Sequence, residues 1–278
     1  MLSRMLVVLD ASPDGGAAVE LGIRWARHYR AAVVGLGVID EPAICRPEPL
    51  PIGGSYFKAR RNAVLLDNAR RTVQQGLGQF ERRCTEAEVS YTLLERTGPP
   101  QEQIALEAQG CDVVLISRQT QVHIGARGVM AATLLKVLRR TPRPVVVVPP
   151  PGGGTGPVVI LYDGSAPAAR ALYAFQAVGL DTGEGVCLVS LDPDGKAAAG
   201  ADRAVDFLQR HGVTVRRETV PLAAPDTTAE AILNVVRRLD ACLLVLGAQG
   251  QLTLRGFLRG SLSDALLKHS PAPLFWFS

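Results

Sequence analysis

The sequence predicts an α/β protein built as two tandem domains, each an open parallel sheet of five strands. Three observations carry this prediction. The chain is written twice: Met5 to Asp10 reads MLVVLD and Val158 to Asp163 reads VVILYD, each an apolar run closed by Asp and followed by a Ser/Gly/Pro turn. The halves also end alike. Asp112 to Ser117 (DVVLIS) matches Cys242 to Gly247 (CLLVLG), and Thr141-Pro142-Arg143-Pro144-Val145 matches Ser270-Pro271-Ala272-Pro273-Leu274. Between these anchors short β-type runs alternate with helix-spaced segments, the pattern of right-handed βαβ crossovers.

Taken in order, the first half predicts strands near residues 5–10, 32–39, 88–94, 112–117 and 144–148. The second predicts them near 157–162, 185–191, 213–220, 241–247 and 273–277. Helices fill most gaps, the longest from about Lys58 to Glu86, with a shorter counterpart from about Ala197 to His211. A Pro-rich segment, Glu41 to Gly54, lengthens the first half. Pro149 to Gly156 (PPPGGGTG) reads as a linker, because prolines bar ladder pairing and consecutive glycines are costly to order. The domain reading is therefore 1–150, a linker at 151–156, and 157–278.

Composition bounds the function. With 278 residues, 47% hydrophobic and 20% charged, each half is long enough to bury its own core. No apolar run reaches the roughly 18 to 20 residues that span a bilayer, and the start meets an acid too soon for a secretory signal. The five cysteines are scattered without a CxxC pair, as expected of reduced thiols, and the expected location is the cytoplasm. A formal charge of +4 with dispersed basic residues gives no basic face for nucleic acid. The four histidines have no metal-site spacing, no Gly-x-Ser-x-Gly elbow is present, and no lysine follows a glycine-rich loop as a P-loop requires, so neither catalytic residues nor metal ligands are assigned.

One segment does carry chemistry. Gly247, Gly250, Gly260 and Ser261 mark both ends of a loop between a predicted strand and a predicted helix, in the spacing G-x-x-G-x9-G-S. Glycines let backbone N–H groups approach an anion, and a helix start adds free donors and a positive dipole end. Ser261 with Asp264 equally fits an N-terminal capping box.

A half built as strand-Asp-Gly-Ser, βα alternation, G-x-x-G-x9-G-S and a final Ser-Pro-x-Pro strand resembles the universal stress protein family. The resemblance covers nearly the whole chain and implies an adenine nucleotide alpha hydrolase-like, Rossmann-like fold that binds ATP or another adenine nucleotide at the carboxyl ends of the strands. It implies that Asp163, with Gly164 and Ser165 in its turn, accepts a hydrogen bond from the adenine amino group; the alternative is an Asx turn capping the next helix. It implies that Ser190 and Leu191 border the base, that Gly247 and Gly250 admit ribose and phosphates, and that Gly260, Ser261, Leu262 and Ser263 meet phosphate at the helix start. Arg255 and Arg259 either neutralise phosphate or remain solvated loop residues. A Mg²⁺ ion held by phosphate oxygens and water fits the same picture.

The first half departs from the motif. Asp10 and Val38 still resemble a base-binding pair, but Ser117 and Thr120 stand at the places of Gly247 and Gly250, and Gly128 to Thr133 lacks Gly-Ser. Gly125 and Gly128 leave a different loop geometry open. This half is expected not to bind ATP in the same way. The family pairs last strands between domains, so the apolar runs Val145 to Val148 and Leu274 to Phe277 are expected to pair within this chain as an internal pseudo-dimer, with Phe275 and Trp276 either at that junction or over a local core. A homodimer is a further expectation. The resulting picture is a regulatory nucleotide-binding protein with an unidentified protein partner and with no membrane or nucleic acid contact. The rivals are weak ATP hydrolysis or phosphoryl or nucleotidyl transfer at the same cradle, and a structural module with empty sites.

Overall fold

The structure is a computed structural model describing residues 1–9, 16–49, 51, 54–118, 130–150, 152–180, 183–192, 198–221, 225–247 and 262–277, without the side chains of 130–133, 191–192, 198–199, 221 and 225–226. Two compact units result, Ser3–Pro142 and, together, Met1–Leu2 with Arg143–Ser278. The strand at the end of the first half falls in the second unit. Among the described residues no helix is long and apolar enough to cross a membrane.

In the first unit β1 (Arg4–Val8), β2 (Ala32–Ile39), β3 (Tyr91–Thr97) and β4 (Val113–Ser117) lie in the order β3-β2-β1-β4, and all of them pair in parallel. Every residue of β4, and every residue of β1 after Arg4, is buried, as expected of strands covered on both faces. The helices are α1 (Gly16–Tyr29), α2 (Glu41–Ile44), α3 (Gly54–Glu86), α4 (Pro100–Ala108) and α5 (Met130–Arg140). α1 sits on β1, β2 and β4, where Gly22 leaves just enough room for Val7 and Leu115. α3 lies beside it on β2, because Gly35 and Gly37 leave space for Phe80 and Val73 where any Cβ would collide. Glu20 of α1 and Arg83 of α3 join the two helices at 3.1 Å.

β3 lies three residues later than the sequence predicts. α3 runs to Glu86, and the turn after it takes Glu88 to φ 55° before Val89 donates its N–H to Cys84 O. The strand then carries Glu95 and Arg96 with half-exposed neighbours, the dilute pattern of a sheet edge that hides a strand from hydrophobic periodicity. Just before the Pro-rich segment the buried Asp40 accepts from the Ala43 N–H at 3.1 Å and so starts α2.

In the second unit β5 (Val145–Val148), β6 (Gly156–Tyr162), β7 (Val186–Asp192), β8 (Val215–Pro221), β9 (Ala241–Gly247) and β10 (Leu274–Phe277) lie in the order β5-β10-β9-β6-β7-β8. All pairs are parallel except β5 with β10, which run antiparallel with Phe275 opposite Val146. The helices are α6 (Ala166–Val178), α7 (Ala198–Arg210), α8 (Pro225–Arg238) and α9 (Leu262–His269). Phe275 is fully buried and meets Phe175 of α6 edge to face at 6.3 Å, so it belongs to the core beneath α6.

The same staple holds both repeats. Asp112, just before β4, accepts from Ser3 N (2.7 Å), Ser3 Oγ (2.8 Å) and Arg4 N (2.9 Å) at the start of β1. Asp240, just before β9, accepts from Thr155 N (3.0 Å) and Thr155 Oγ1 (3.2 Å) at the start of β6. The glycine-rich linker is therefore pinned: Gly154 and Gly156 also donate to Ala241 O and Asp240 O. Burial pushes the Asp112 carboxyl up, but the Ser3 and Arg4 donors outweigh it and hold the group below its usual value of 3.8. A depressed folded pKa gives stability that is complete above the unfolded value and is lost as pH falls through the folded one. Asp112→Asn is expected to cost about 1–2 kcal/mol at neutral pH, given the partial exposure of the site, and to flatten the loss of stability below about pH 4. Urea titrations of both proteins across pH 3 to 7 measure it.

Candidate functional site

Sheet topology selects the place to look. From β6 the chain proceeds outward to β7 and β8, then returns to the other side of β6 with β9 and β10. The carboxyl ends of β6 and β9 therefore flank the point where the order reverses, and open α/β sheets hold ligands in that crevice. Those two ends are Tyr162-Asp163 and Gly247.

Asp163 follows β6, and its Oδ1 accepts from Ser165 N at 3.0 Å, an Asx turn. Gly164 takes φ 77°, exposed, with open space where a Cβ would stand. Ser165 is the N-cap of α6, its Oγ accepting from Ala168 N at 3.3 Å. The capping role of this segment is thus present. It is compatible with a ligand role for Asp163, because a carboxylate has about four acceptor positions.

Gly247 is demanded by packing. A Cβ there would run into the carbonyl of Pro167 and the N–H of Ala168, the backbone of the first turn of α6. That turn sits directly against the end of β9, and the segment leaving Gly247 starts beside it. Ser190 is fully buried, and its hydroxyl lies 3.0 Å from Thr219 Oγ1 and 3.4 Å from Glu218 O, so it is committed to β8. Leu191 continues the β7 ladder opposite Val220. Leu262 and Ser263 open α9 with both side chains buried, and Asp264 accepts from Lys268 Nζ at 2.7 Å. Gly250, Arg255, Arg259, Gly260 and Ser261 lie outside the described residues. Of the predicted site, the structure brings together the turn at 163–165 and Gly247, with Ser190 on the neighbouring strand.

Two residues at this edge escape a reading of the sequence. Tyr162 is buried at the end of β6; burial pushes its hydroxyl up, Arg203 opposes that rise and Asp163 adds to it. Gly200 of α7 faces the same turn, so that a Cβ on it would stand 3.4 Å from Gly164 Cα and 3.8 Å from the Tyr162 ring. The signal for this approach is the run of small residues from Ala197 to Ala201, which by itself reads only as helix-compatible sequence.

The first unit has its own reversal point, between β1 and β4. Ser117 ends β4 fully buried where the other half has Gly247, and burial lowers the pKa of the Arg118 guanidinium that follows. Val38 is buried in β2. Asp10, Thr120, Gly125 and Gly128 lie outside the described residues. Among the described residues no group of His, Cys, Asp and Glu could hold a metal ion.

Comparison with known proteins gives a consistent result. A family model described as the universal stress protein family matches residues 1–149 and again 155–276. A universal stress protein of Synechocystis sp. is 24% identical over 169 residues, 60% of this chain and 58% of that protein, so the chain spans less than two thirds of that relative's length. Among solved structures, a universal stress protein from Archaeoglobus fulgidus superposes with a TM-score of 0.72 at 18% identity, covering 98% of this chain and 97% of its own. A protein of unknown function from Pseudomonas aeruginosa gives 0.59 at 17% identity, covering 99% and 92%. At these identities the likeness is one of fold.

The packing at Gly247 yields a direct test without ligand. Gly247→Ala is expected to destabilise the protein by about 1–3 kcal/mol through overpacking. Gly164→Ala meets open space and is expected to cost only about 1 kcal/mol, from its positive φ. Urea midpoints of the two variants measure the difference.

Proposed function

The chain belongs to the universal stress protein family, and we propose that its C-terminal half binds ATP or another adenine nucleotide in the crevice between the ends of β6 and β9. The observation that supports this most is the exit of the G-x-x-G-x9-G-S segment from the sheet at Gly247, beside the Asp163 turn and at the reversal of strand order. In this reading Asp163 accepts from the adenine amino group. The backbone of Ser190 and Leu191 borders the base, since the Ser190 hydroxyl is engaged with Thr219. Gly250 admits the phosphates, the Gly260, Ser261, Leu262 and Ser263 N–H groups receive them, and Arg255 and Arg259 neutralise their charge. Phosphate oxygens and water hold the accompanying Mg²⁺.

The repeats at 1–150 and 157–278 then have different tasks, the first serving as scaffold because the G-x-x-G-x9-G-S spacing is missing there, with Ser117 and Thr120 at the places of Gly247 and Gly250. In this reading the protein acts as a stress-response regulator in the cytoplasm, and nucleotide binding changes a surface read by a protein partner. The five cysteines form no disulfide, in keeping with a reducing compartment.

Native mass spectrometry and calorimetry on gently purified protein test this reading. Bound adenine nucleotide is expected, and at a free nucleotide concentration 100 times Kd the unfolding free energy rises by about 2.7 kcal/mol. Gly260→Val and Asp163→Ala are expected to abolish or weaken binding by at least about tenfold, and Ser117→Ala to leave it unchanged. Gly260 is the better target than Gly247, where a larger residue displaces α6 itself. Absence of both co-purified nucleotide and calorimetric binding overturns the proposal, and loss of binding from the Ser117 change alone moves the site to the other half. Labelled ATP recovered intact after long incubation separates binding from hydrolysis.

A further inference from the structure

α3 is anchored by only part of its length. Its buried residues, Ala69, Leu77, Phe80 and Cys84, begin only near its middle, whereas Tyr56, Phe57 and Val64 in its first three turns are 66%, 73% and 55% exposed. Single exposed apolar residues are ordinary, but three large ones on one short stretch of helix mark a contact surface. That stretch is held in place from its other side: Lys58 donates to Arg46 O at 2.8 Å and Arg61 meets Glu48 at 2.6 Å.

At 100° per residue, Phe57, Arg60, Ala63, Val64, Asp67 and Arg70 share one arc of about 140°, turned away from the face that carries Ala69, Val73 and Phe80. All six are exposed. One pair of opposite charges, Arg60 and Asp67, lies at equal distances on either side of the centre of this arc, and the exposed Tyr56 and Arg71 lie on it as well. If two copies of the helix are laid antiparallel across a two-fold axis between residues 63 and 64, Arg60 of each falls opposite Asp67 of the other, and Phe57 falls opposite Arg70. The small Ala63 and Val64 meet at the axis, where helices approach to about 8–10 Å.

We propose that this face of α3 is a homodimer contact, formed by a second copy of the chain. An acid and a guanidinium at equal distances from one point, with Phe57 and Tyr56 mirrored by Arg70 and Arg71, are what an isologous interface needs, and a partner of another kind gains nothing from that symmetry. Asp67 is already oriented by Arg71 at 2.5 Å and has acceptor capacity left for a second guanidinium. The Phe57 ring against a guanidinium is a favourable cation–π pair. A second observation directs self-association here: β10 has β9 on one side and β5 on the other, so this last strand has no open edge for another copy. A single helix pair buries less than the roughly 1,200 Å² of a standard interface, so the dimer is a reversible, concentration-dependent one.

Sedimentation equilibrium of the full chain over a wide concentration range tests this. A monomer–dimer equilibrium is expected that weakens with added salt. Arg60→Glu and Asp67→Arg are each expected to raise the dimer dissociation constant at least about tenfold. The double variant is expected to return it to within about threefold, since exchanging the two charges again sets an acid opposite a guanidinium across the axis. These exposed sites leave the fold intact, which unchanged urea midpoints verify. A chain that stays monomeric, a dimer indifferent to the single changes, or a double variant that fails to recover overturns the proposal. Monomeric protein that floats with vesicles containing phosphatidylserine also overturns it, and assigns the basic aromatic face to a lipid surface.

Discussion

The approach of the first turn of α6 to the end of β9 leaves no volume for a side chain at residue 247, and the carboxyl edge of the C-terminal unit is organised around that contact. The Asx turn at Asp163 and the cap at Ser165 set the direction in which α6 starts. Phe175, further along the same helix, reaches the Phe275 ring and so ties α6 to β10. A backbone-to-backbone approach of this kind is stiff, because neither partner has a rotamer to change. The segment that leaves Gly247 therefore begins from a fixed point beside the β6 turn, which suits a ligand crevice at the reversal of strand order.

The two repeats share a contact at the amino end of the sheet and differ at its carboxyl end. Asp112 and Asp240 occupy the same place, each accepting from the backbone and hydroxyl of a Ser or Thr at the start of the adjoining first strand. That staple closes the parallel ladder at its amino end and is independent of any ligand. At the opposite, carboxyl end the repeats separate: Gly247 stands against α6, while Ser117 brings a buried side chain to the matching position.

α3 shows the same separation within a single helix. Its second half lies on β2 because Gly35 and Gly37 remove the side chains that would hold it away. Its first half has no fully buried side chain before Ala69, and Tyr56, Phe57 and Val64 there are exposed. Burial fixes the identity of residues in one half, and the available surface in the other is free to carry a partner contact.

How much was legible in the chain follows from these particulars. Eight of the ten strands read directly as apolar runs because parallel strands buried on both faces leave almost no polar residue in the pattern, as in Val113–Ser117 and Ala241–Gly247. The edge strand β3 was displaced and β8 read slightly early because charged residues such as Arg96 and Arg217 dilute the signal at an open edge. The repeat, the glycine-rich spacing and the Asp163 turn were also local, and local chemistry determined them. Only the tertiary structure decided that Gly247 serves the packing of α6, that the Ser190 hydroxyl turns to Thr219, that Tyr162 and Gly200 close on the Asp163 turn, and that the expected pairing of β5 with β10 runs antiparallel. Each of these depends on two segments brought together from distant parts of the sequence, and a pattern of residue types along one segment holds no record of the volume its neighbour leaves.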